Sequence, residues 1–318
     1  MGYVDWIRGC VGHRKIFLAF ASVVLRDEAG RILLQRRTDF NLWGLPGGSL
    51  ERGEGLRACA RRELREETGL SAGDLSLVGI YTDPRLDVTY PNGDRVQQFT
   101  VCFTGRANGG SMQVDGTENS EQRYFSAGEL PYDQIPPHYQ AMLKDTLGGG
   151  PPAFTPPYRL TRTRSQLDAL RPRIGSNRYI GVGACAVVRD GSGCLLLSRP
   201  ADQSDWTLPW DFMRLGENAA WAARRLVRQA SGYEASPRRL LGVYTSAEAW
   251  PTPAGENLQA VLAVFECRIA DTPPGLNTNS HLSWMAPEDL AALPSPPVLA
   301  DLHRAVTQPV DGEYFIAA

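Results

Sequence analysis

Lysine is nearly absent from this chain. Lys15 and Lys144 stand alone among 318 residues, so almost every positive charge is an arginine. That one-sidedness reads first as codon bias rather than as function. A surplus of either charge is missing too: residues 1–150 carry 17 basic and 19 acidic side chains, and the remainder carries 16 of each. Neither half has the basic excess of a nucleic-acid binder, so no nucleic-acid partner is expected. No CxxC spacing occurs among Cys10, Cys59, Cys102, Cys185, Cys194 and Cys267, which argues against a zinc site or disulfide frame. Most of them lie in apolar runs and read as small buried hydrophobes. No apolar stretch reaches the ~18–20 residues of a membrane span. The opening MGYVDWIRGC lacks the apolar core of a secretory signal, and Trp6 stands where a myristoylation motif wants Ser or Thr. The expectation is a cytoplasmic protein with no membrane partner.

What is present is a repeat. Adding 163 to a number in the first half finds its counterpart in the second. Arg26-Asp27 falls on Arg189-Asp190, Arg36 on Arg199, Trp43 on Trp206, Gly53-Glu54 on Gly216-Glu217, Arg62 on Arg225 and Gly69 on Gly232. LVGIYT at 77–82 falls on LLGVYT at 240–245, after which the register slips by one. A unit of this length is one domain. The boundaries expected are a first domain over 1–150, a linker over 151–164 within the Gly- and Pro-rich LGGGPPAFTPP region, and a second domain over 165–318. Each copy opens with a short amphipathic helix (Val4–Gly12 in the first). In the first copy, ILLQRR reads as a strand, Gly44–Gly55 as a glycine-rich loop, and Leu56 to Thr68 as a helix capped by Gly69. Strands at Ser76–Thr82 and Val96–Thr104 and a helix at Pro137–Leu147 complete an α/β unit.

The chemistry concentrates in GSLERGEGLRACARRELREETGL. Glu63, Glu66 and Glu67 lie three and four residues apart on the last turns of one helix, so their carboxylates can converge. Like charges so close repel unless a cation joins them, and hard oxygen donors suit Mg²⁺ or Mn²⁺. Beside a diphosphate, such an ion neutralises phosphoryl oxygens and acidifies bound water. A merely solvated charged helix face is the plain alternative, and the placing of Gly48 and Glu54 relative to the helix rejects it. The segment resembles the Nudix box, G-x5-E-x7-R-E-U-x-E-E-x-G-U with U aliphatic. Gly48, Glu54, Arg62, Glu63, Leu64, Glu66, Glu67, Gly69 and Leu70 fill every fixed position.

The resemblance implies two tandem α/β/α sandwich domains of the α/β (α+β) class, each with a mixed β-sheet. It implies hydrolysis of a nucleoside diphosphate linked to a variable group, or of a related small-molecule diphosphate. It also implies that Glu63, Glu66 and Glu67 bind the metal with help from the Gly47 carbonyl, while Arg62 orients them and Glu54 ties loop to helix. A further carboxylate is expected from the loop DGTENSEQRYF, with Glu121 slightly preferred to Glu118 as an extra ligand or base. Arg36 and Arg37 could hold phosphate, although the repetition of Arg36 as Arg199 also fits a structural role. Tyr81, Tyr90 and Phe99 could stack a base, with core packing the plainer reading.

The second copy has lost this pattern. Glu63, Glu66 and Glu67 become Leu226, Gln229 and Ala230, and Gly47-Gly48 becomes Trp210-Asp211. Glu248, Glu256 and Asp211 remain, none on the equivalent helix face. No metal-assisted hydrolysis is expected there. Trp210 and Trp221 could fill the vacated pocket, form an interface or line a ligand site, the first two preferred. Such a domain could complete the first as an intramolecular pseudo-dimer, support a homodimer, or sense a nucleotide or hydrophobic diphosphate as a regulatory module. The substrates compatible with the pattern are ADP-ribose-like molecules, nucleoside triphosphates, nucleotide sugars and isoprenoid diphosphates.

Overall fold

The computed structural model describes residues 2–114, 116–199, 205–246, 250–251, 257–269, 281–292, 306 and 314–316. It divides into two compact units, Met1–Phe154 and Thr155–Ala318. In the first, the order is α1 (Tyr3–Val11), β1 (Ile16–Arg26), β2 (Ile32–Arg37), β3 (Trp43–Gly44), β4 (Gly47–Ser49), α2 (Leu56–Thr68), β5 (Leu70–Ala72), β6 (Ser76–Tyr81), β7 (Val88–Thr89), β8 (Arg95–Gly110), β9 (Asn119–Phe125), α3 (Pro137–Gly148) and β10 (Ala153–Phe154). The second runs β11 (Arg159–Ser165), α4 (Gln166–Ile174), β12 (Arg178–Val188), β13 (Leu195–Ser198), β14 (Trp210–Phe212), β15 (Arg214–Glu217), α5 (Ala219–Ser231), β16 (Ala235–Thr245), β17 (Trp250–Pro251), β18 (Asn257–Ile269), β19 (Leu282–Met285) and β20 (Tyr314–Ile316). Glu248 and Glu256 lie outside the described residues.

Both units are built on a mixed sheet. In the first, the strand order is β10-β6-β8-β1-β2-β3, with β1 parallel to β8 and β6 antiparallel to it. In the second, the order β14-β12-β18-β16-β20 repeats the parallel pair as β12 and β18. Ile16 faces Val96 in the first pair, and Tyr179 faces Leu258 in the second, so the one-residue slip of the repeat falls between these two strands. The near-continuous apolar runs of β1 and β12 fit strands covered on both faces.

The helix α2 forms where Leu56, Ala60 and Leu64 recur at helical spacing, and these three are buried with Cys59. Full burial of Leu64 alone contributes about 2 kcal/mol. Gly69 ends the helix in the left-handed conformation, its N–H bonding the Arg65 carbonyl. A second core, including Ile32, Leu34, Trp43, Leu45, Phe125 and Met142, also stabilises this domain. All six cysteines are free, and Cys59, Cys102, Cys185 and Cys267 are buried. No described helix is long and apolar enough to cross a membrane.

The segment read as a linker is partly strand. Ala153 and Phe154 pair in parallel with Gly79 and Ile80 of β6. The approach is close: a β-carbon on Gly79 would meet the Ala153 carbonyl oxygen at 2.4 Å. Farther on, Arg159–Ser165 forms β11, which pairs antiparallel with β15. Glycine and proline density marks where a helix stops, and it does not register a partner strand distant in sequence.

Candidate active site

The site is assembled around one arginine. Arg62 donates from Nε and one terminal nitrogen to the two carboxylate oxygens of Glu54 (2.8 and 2.9 Å). It also donates to the Ser49 carbonyl (3.1 Å), Glu63 (2.7 Å) and Glu66 (3.1 Å). Glu54 in turn accepts from the Glu51 backbone N–H (3.1 Å). The loop before α2 is thereby locked to the helix by charge-assisted bonds, which fixes where the acids point.

Glu67 is only 5% exposed although it is charged in water. Its carboxylate accepts the Gly47 N–H at 2.8 Å. Burial pushes its pKa up to about 8 and the neighbouring Glu63 charge adds to the rise, against the Gly47 amide, a bond from Gln35 and the Arg37 charge. Glu63 is raised as well, first by burial, with Glu66 and Glu118 adding and Arg62 opposing. The glycines explain why the acids fit. A β-carbon on Gly48 would lie 2.4–2.5 Å from the Glu63 carboxyl atoms, and one on Gly47 would strike the Ala21 carbonyl oxygen at 2.3 Å. Gly47 has φ +152°, open to glycine and strained for other residues.

Glu63, Glu67, Gly47 and Gly48 open onto a cavity of about 630 Å³, within the usual range for a small-molecule site. Its wall includes Phe20 from β1, Gln98 from β8, Tyr90, and His138 and Tyr139 from the start of α3. Burial lowers the pKa of His138 to about 4, with the Arg37 charge adding, so its imidazole is neutral at ordinary pH.

Not every expected residue arrives here. Both acids are exposed; Glu118 lines the cavity, whereas Glu121, on β9 opposite Arg36, is not among the cavity-lining residues. Arg37 lines the cavity while bonded to Asp39 (2.7 and 2.9 Å). Arg36 does not; it donates to Asn41 (2.7 Å) and sits 5.8 Å from the Trp43 ring centroid. Arg199 stands over Trp206 in the same way (4.9 Å), as a structural role requires. Of the three aromatics considered, Tyr90 reaches the cavity, Phe99 is fully buried, and Tyr81 bonds Asp145 (2.8 Å).

Two residues were missed in the sequence. Asn119 and Gln122 donate from their side-chain amides to the Glu67 carbonyl (3.1 and 2.6 Å), pinning the end of α2 to β9. Their only trace in sequence is an Asn and a Gln at the start of a strand.

The second domain keeps the hub without the acids. Arg225 donates to Glu217 (3.0 Å), the Phe212 carbonyl (3.0 Å) and Gln229 (2.9 Å), as Arg62 does to Glu54, Ser49 and Glu66. Leu226 is buried where Glu63 would be. The ring of Phe212 covers Gly181, where a β-carbon would meet it at 2.3 Å. Gly181 is the counterpart of Leu18, part of the first domain's cavity wall. Trp210 packs edge-on to Phe212 (5.8 Å) and against the core.

The NUDIX domain pattern matches this sequence twice, at residues 17–145 and 179–306. The chain belongs to the Nudix family. It resembles a putative 8-oxo-dGTP diphosphatase of Bacillus subtilis, 35% identical over 116 residues, covering 36% of this chain and 71% of that protein. An ADP-ribose pyrophosphatase of Methanocaldococcus jannaschii is 27% identical over 129 residues, covering 40% and 71%. Among solved structures, a MutT NUDIX hydrolase from Burkholderia pseudomallei is 21% identical, covering 42% of this chain and 98% of that one, with a TM-score of 0.35. This Nudix chain is thus a hydrolase by family.

Nudix hydrolases generally use a divalent metal, and the residues here suit one. Two neighbouring carboxylates, buried Glu67 and half-buried Glu63, have raised pKa values, and glycine leaves the backbone bare beside them. Among the described residues, no three His, Cys, Asp or Glu side chains form a ready-made cage. Glu66, 60% exposed, is turned to Arg62 instead.

Proposed function

We propose that the first domain is a Mg²⁺-dependent hydrolase, with Mn²⁺ as a substitute, that cleaves the diphosphate linkage of a nucleoside diphosphate bearing a variable group. The observation that carries this reading is the pair of carboxylates, buried Glu67 and half-buried Glu63, opening together onto the cavity of about 630 Å³ against bare glycine backbone. Glu63, Glu66 and Glu67, with the Gly47 carbonyl, are the residues to hold the metal. When bound, the metal supplies charge neutralisation on the phosphoryl oxygens and a more acidic water. Arg62 holds Glu63 and Glu66 in position, and Glu118 is the further acid, as ligand or base. Arg37 offers charge-assisted bonds to phosphate. Tyr90 and Phe20 give the cavity a surface for a planar ring. The names of the two relatives support a nucleotide substrate, since one refers to 8-oxo-dGTP and the other to ADP-ribose.

The test is a panel of diphosphate substrates with Mg²⁺ and Mn²⁺, with Glu67→Gln as control. Turnover by the wild type and its loss in the variant is the expected result. Turnover of no member, or equal turnover by both proteins, would sink the reading. The second domain, without acids at 226, 229 and 230, does no hydrolysis in this scheme. A regulatory role for it is favoured by one observation, the arginine-lined cleft beside α5.

A further inference from the structure

The second domain has a cleft of about 250 Å³ where β11 and β15 meet α5. Arg159, Arg214, Arg224, Arg225 and Arg228 line it, with Glu217 and Glu234 as the carboxylates and Trp221 as the aromatic. Five guanidinium groups thus face two lining carboxylates, and Arg225 reaches a third, Asp211, at 3.5 Å. Glu217, 1% exposed, is taken by Arg225 as part of the hub. Glu234 is divided between Arg224 (2.8 Å) and Arg228 (3.0 Å). Arg159 stands 5.1 Å from the Trp221 ring centroid and bonds only backbone carbonyls at 3.4 Å among the described residues. The half-buried Arg214 guanidinium makes no hydrogen bond or ion pair with the described residues. With Asp211 counted against Arg225, the cleft is left with an excess of about two positive charges.

The first domain shows that this excess is not simply inherited with the repeat. Arg61 and Arg65, the counterparts of Arg224 and Arg228, are spent on the Ala72 carbonyl (2.7 Å) and the Ser71 hydroxyl (3.5 Å). Trp221 replaces Ala58. Arg214 replaces Glu51, which accepts the Tyr3 N–H at 2.9 and 3.1 Å and so holds the start of α1. A helix-holding acid has become a cation that has no side-chain partner among the described residues, in a concave site. Guanidinium forks match phosphate oxygens in pairs. The volume falls below that of a usual drug-sized pocket, which suits a small polyanion.

We propose that this cleft binds a condensed phosphate, the diphosphate or triphosphate group of a small molecule, without a metal ion. The cations that elsewhere come from a divalent metal come here from Arg159, Arg214 and the Arg224–Arg228 pair. The proposal does not depend on catalysis in the first domain.

The test is calorimetric titration of the full-length protein in EDTA with inorganic pyrophosphate and, separately, with ADP. EDTA stops metal-dependent turnover, so this result and the activity panel fail or succeed independently. Saturable binding of one pyrophosphate is expected, weakened at least tenfold by Arg214→Gln and by Arg228→Gln. Arg228 is 69% exposed on the helix surface, so its replacement leaves the fold intact. ADP binding of similar strength, lost in the same variants, assigns the site to the diphosphate end of a nucleotide; pyrophosphate binding alone assigns it to the free anion. Both results support the proposal. Absence of saturable binding in EDTA, or binding indifferent to both substitutions, overturns it.

Discussion

The helices α2 and α5 have the same length, end on a left-handed glycine and carry the same arginine–glutamate hub, yet only α2 presents acids to a cavity. The hub ties loop to helix in both domains, and in the proposed function the acids of α2 supply the chemistry. Where Glu66 became Gln229, the bond to the arginine survived the loss of charge. Where Glu63 became Leu226, the position joined the core. The hub is therefore kept without acids at 226, 229 and 230.

The largest effect expected in testing that contrast comes from Glu67→Gln. Loss of a metal-holding carboxylate should lower kcat by about 10²–10³-fold. The melting temperature should hold or rise, because an amide is cheaper to bury than a carboxylate. A falling melting temperature would show that Glu67 supports the fold rather than the chemistry.

Acid should separate the domains next. His138 has a pKa of about 4 when folded against 6.5 when unfolded, so the unfolded chain takes up the proton first. The stability it contributes above pH 6.5 is lost as pH falls from 6.5 to 4, by at most about 3 kcal/mol. His281, the one described histidine of the second domain, is exposed. Urea unfolding of wild type and His138→Gln across that range isolates the effect, since the other groups titrate in both proteins. Parallel curves would refute it.

Gly48→Ala probes the glycine cradle. The backbone at Gly48 is open to any residue, so only the clash with Glu63 matters. A fall in kcat of about 10–100-fold with an unchanged melting temperature is expected from a displaced carboxylate. Unchanged kcat would mean that Glu63 is free to relocate. The smallest effect is that of Gly79→Ala, which obstructs the pairing of β10. A loss of about 1 kcal/mol in the first domain and faster amide exchange at Phe154 should follow.

The local elements were legible in the sequence. Leu56–Thr68 and ILLQRR appear with the ends their periodicity gives, because both are fixed by near neighbours and by one buried face. The contest between Glu118 and Glu121 was not legible. Glu118 lies just before β9 and Glu121 within it, and the pairing of β2 with β9 shifts register between Arg36 and Arg37, so strand alternation does not say which acid reaches the cavity. The bonds of Asn119 and Gln122 to the Glu67 carbonyl join residues more than 50 positions apart, and no local pattern encodes them. The repeat itself misled at Trp221. Comparison with Ala58 left pocket filling, an interface and a ligand site open, and the residue stands in a cleft beside Arg159 and Arg224.

The short strand β10 decides where this chain can be cut. A fragment stopped at residue 150 would leave the outer side of β6 with unsatisfied backbone donors and acceptors at Gly79 and Ile80. Such an open margin recruits strands from other molecules. Self-association of that fragment would then report a missing strand and say nothing about help from the second domain. Division after Phe154 keeps Gly79 and Ile80 paired, and a comparison of the halves made there measures independence rather than damage.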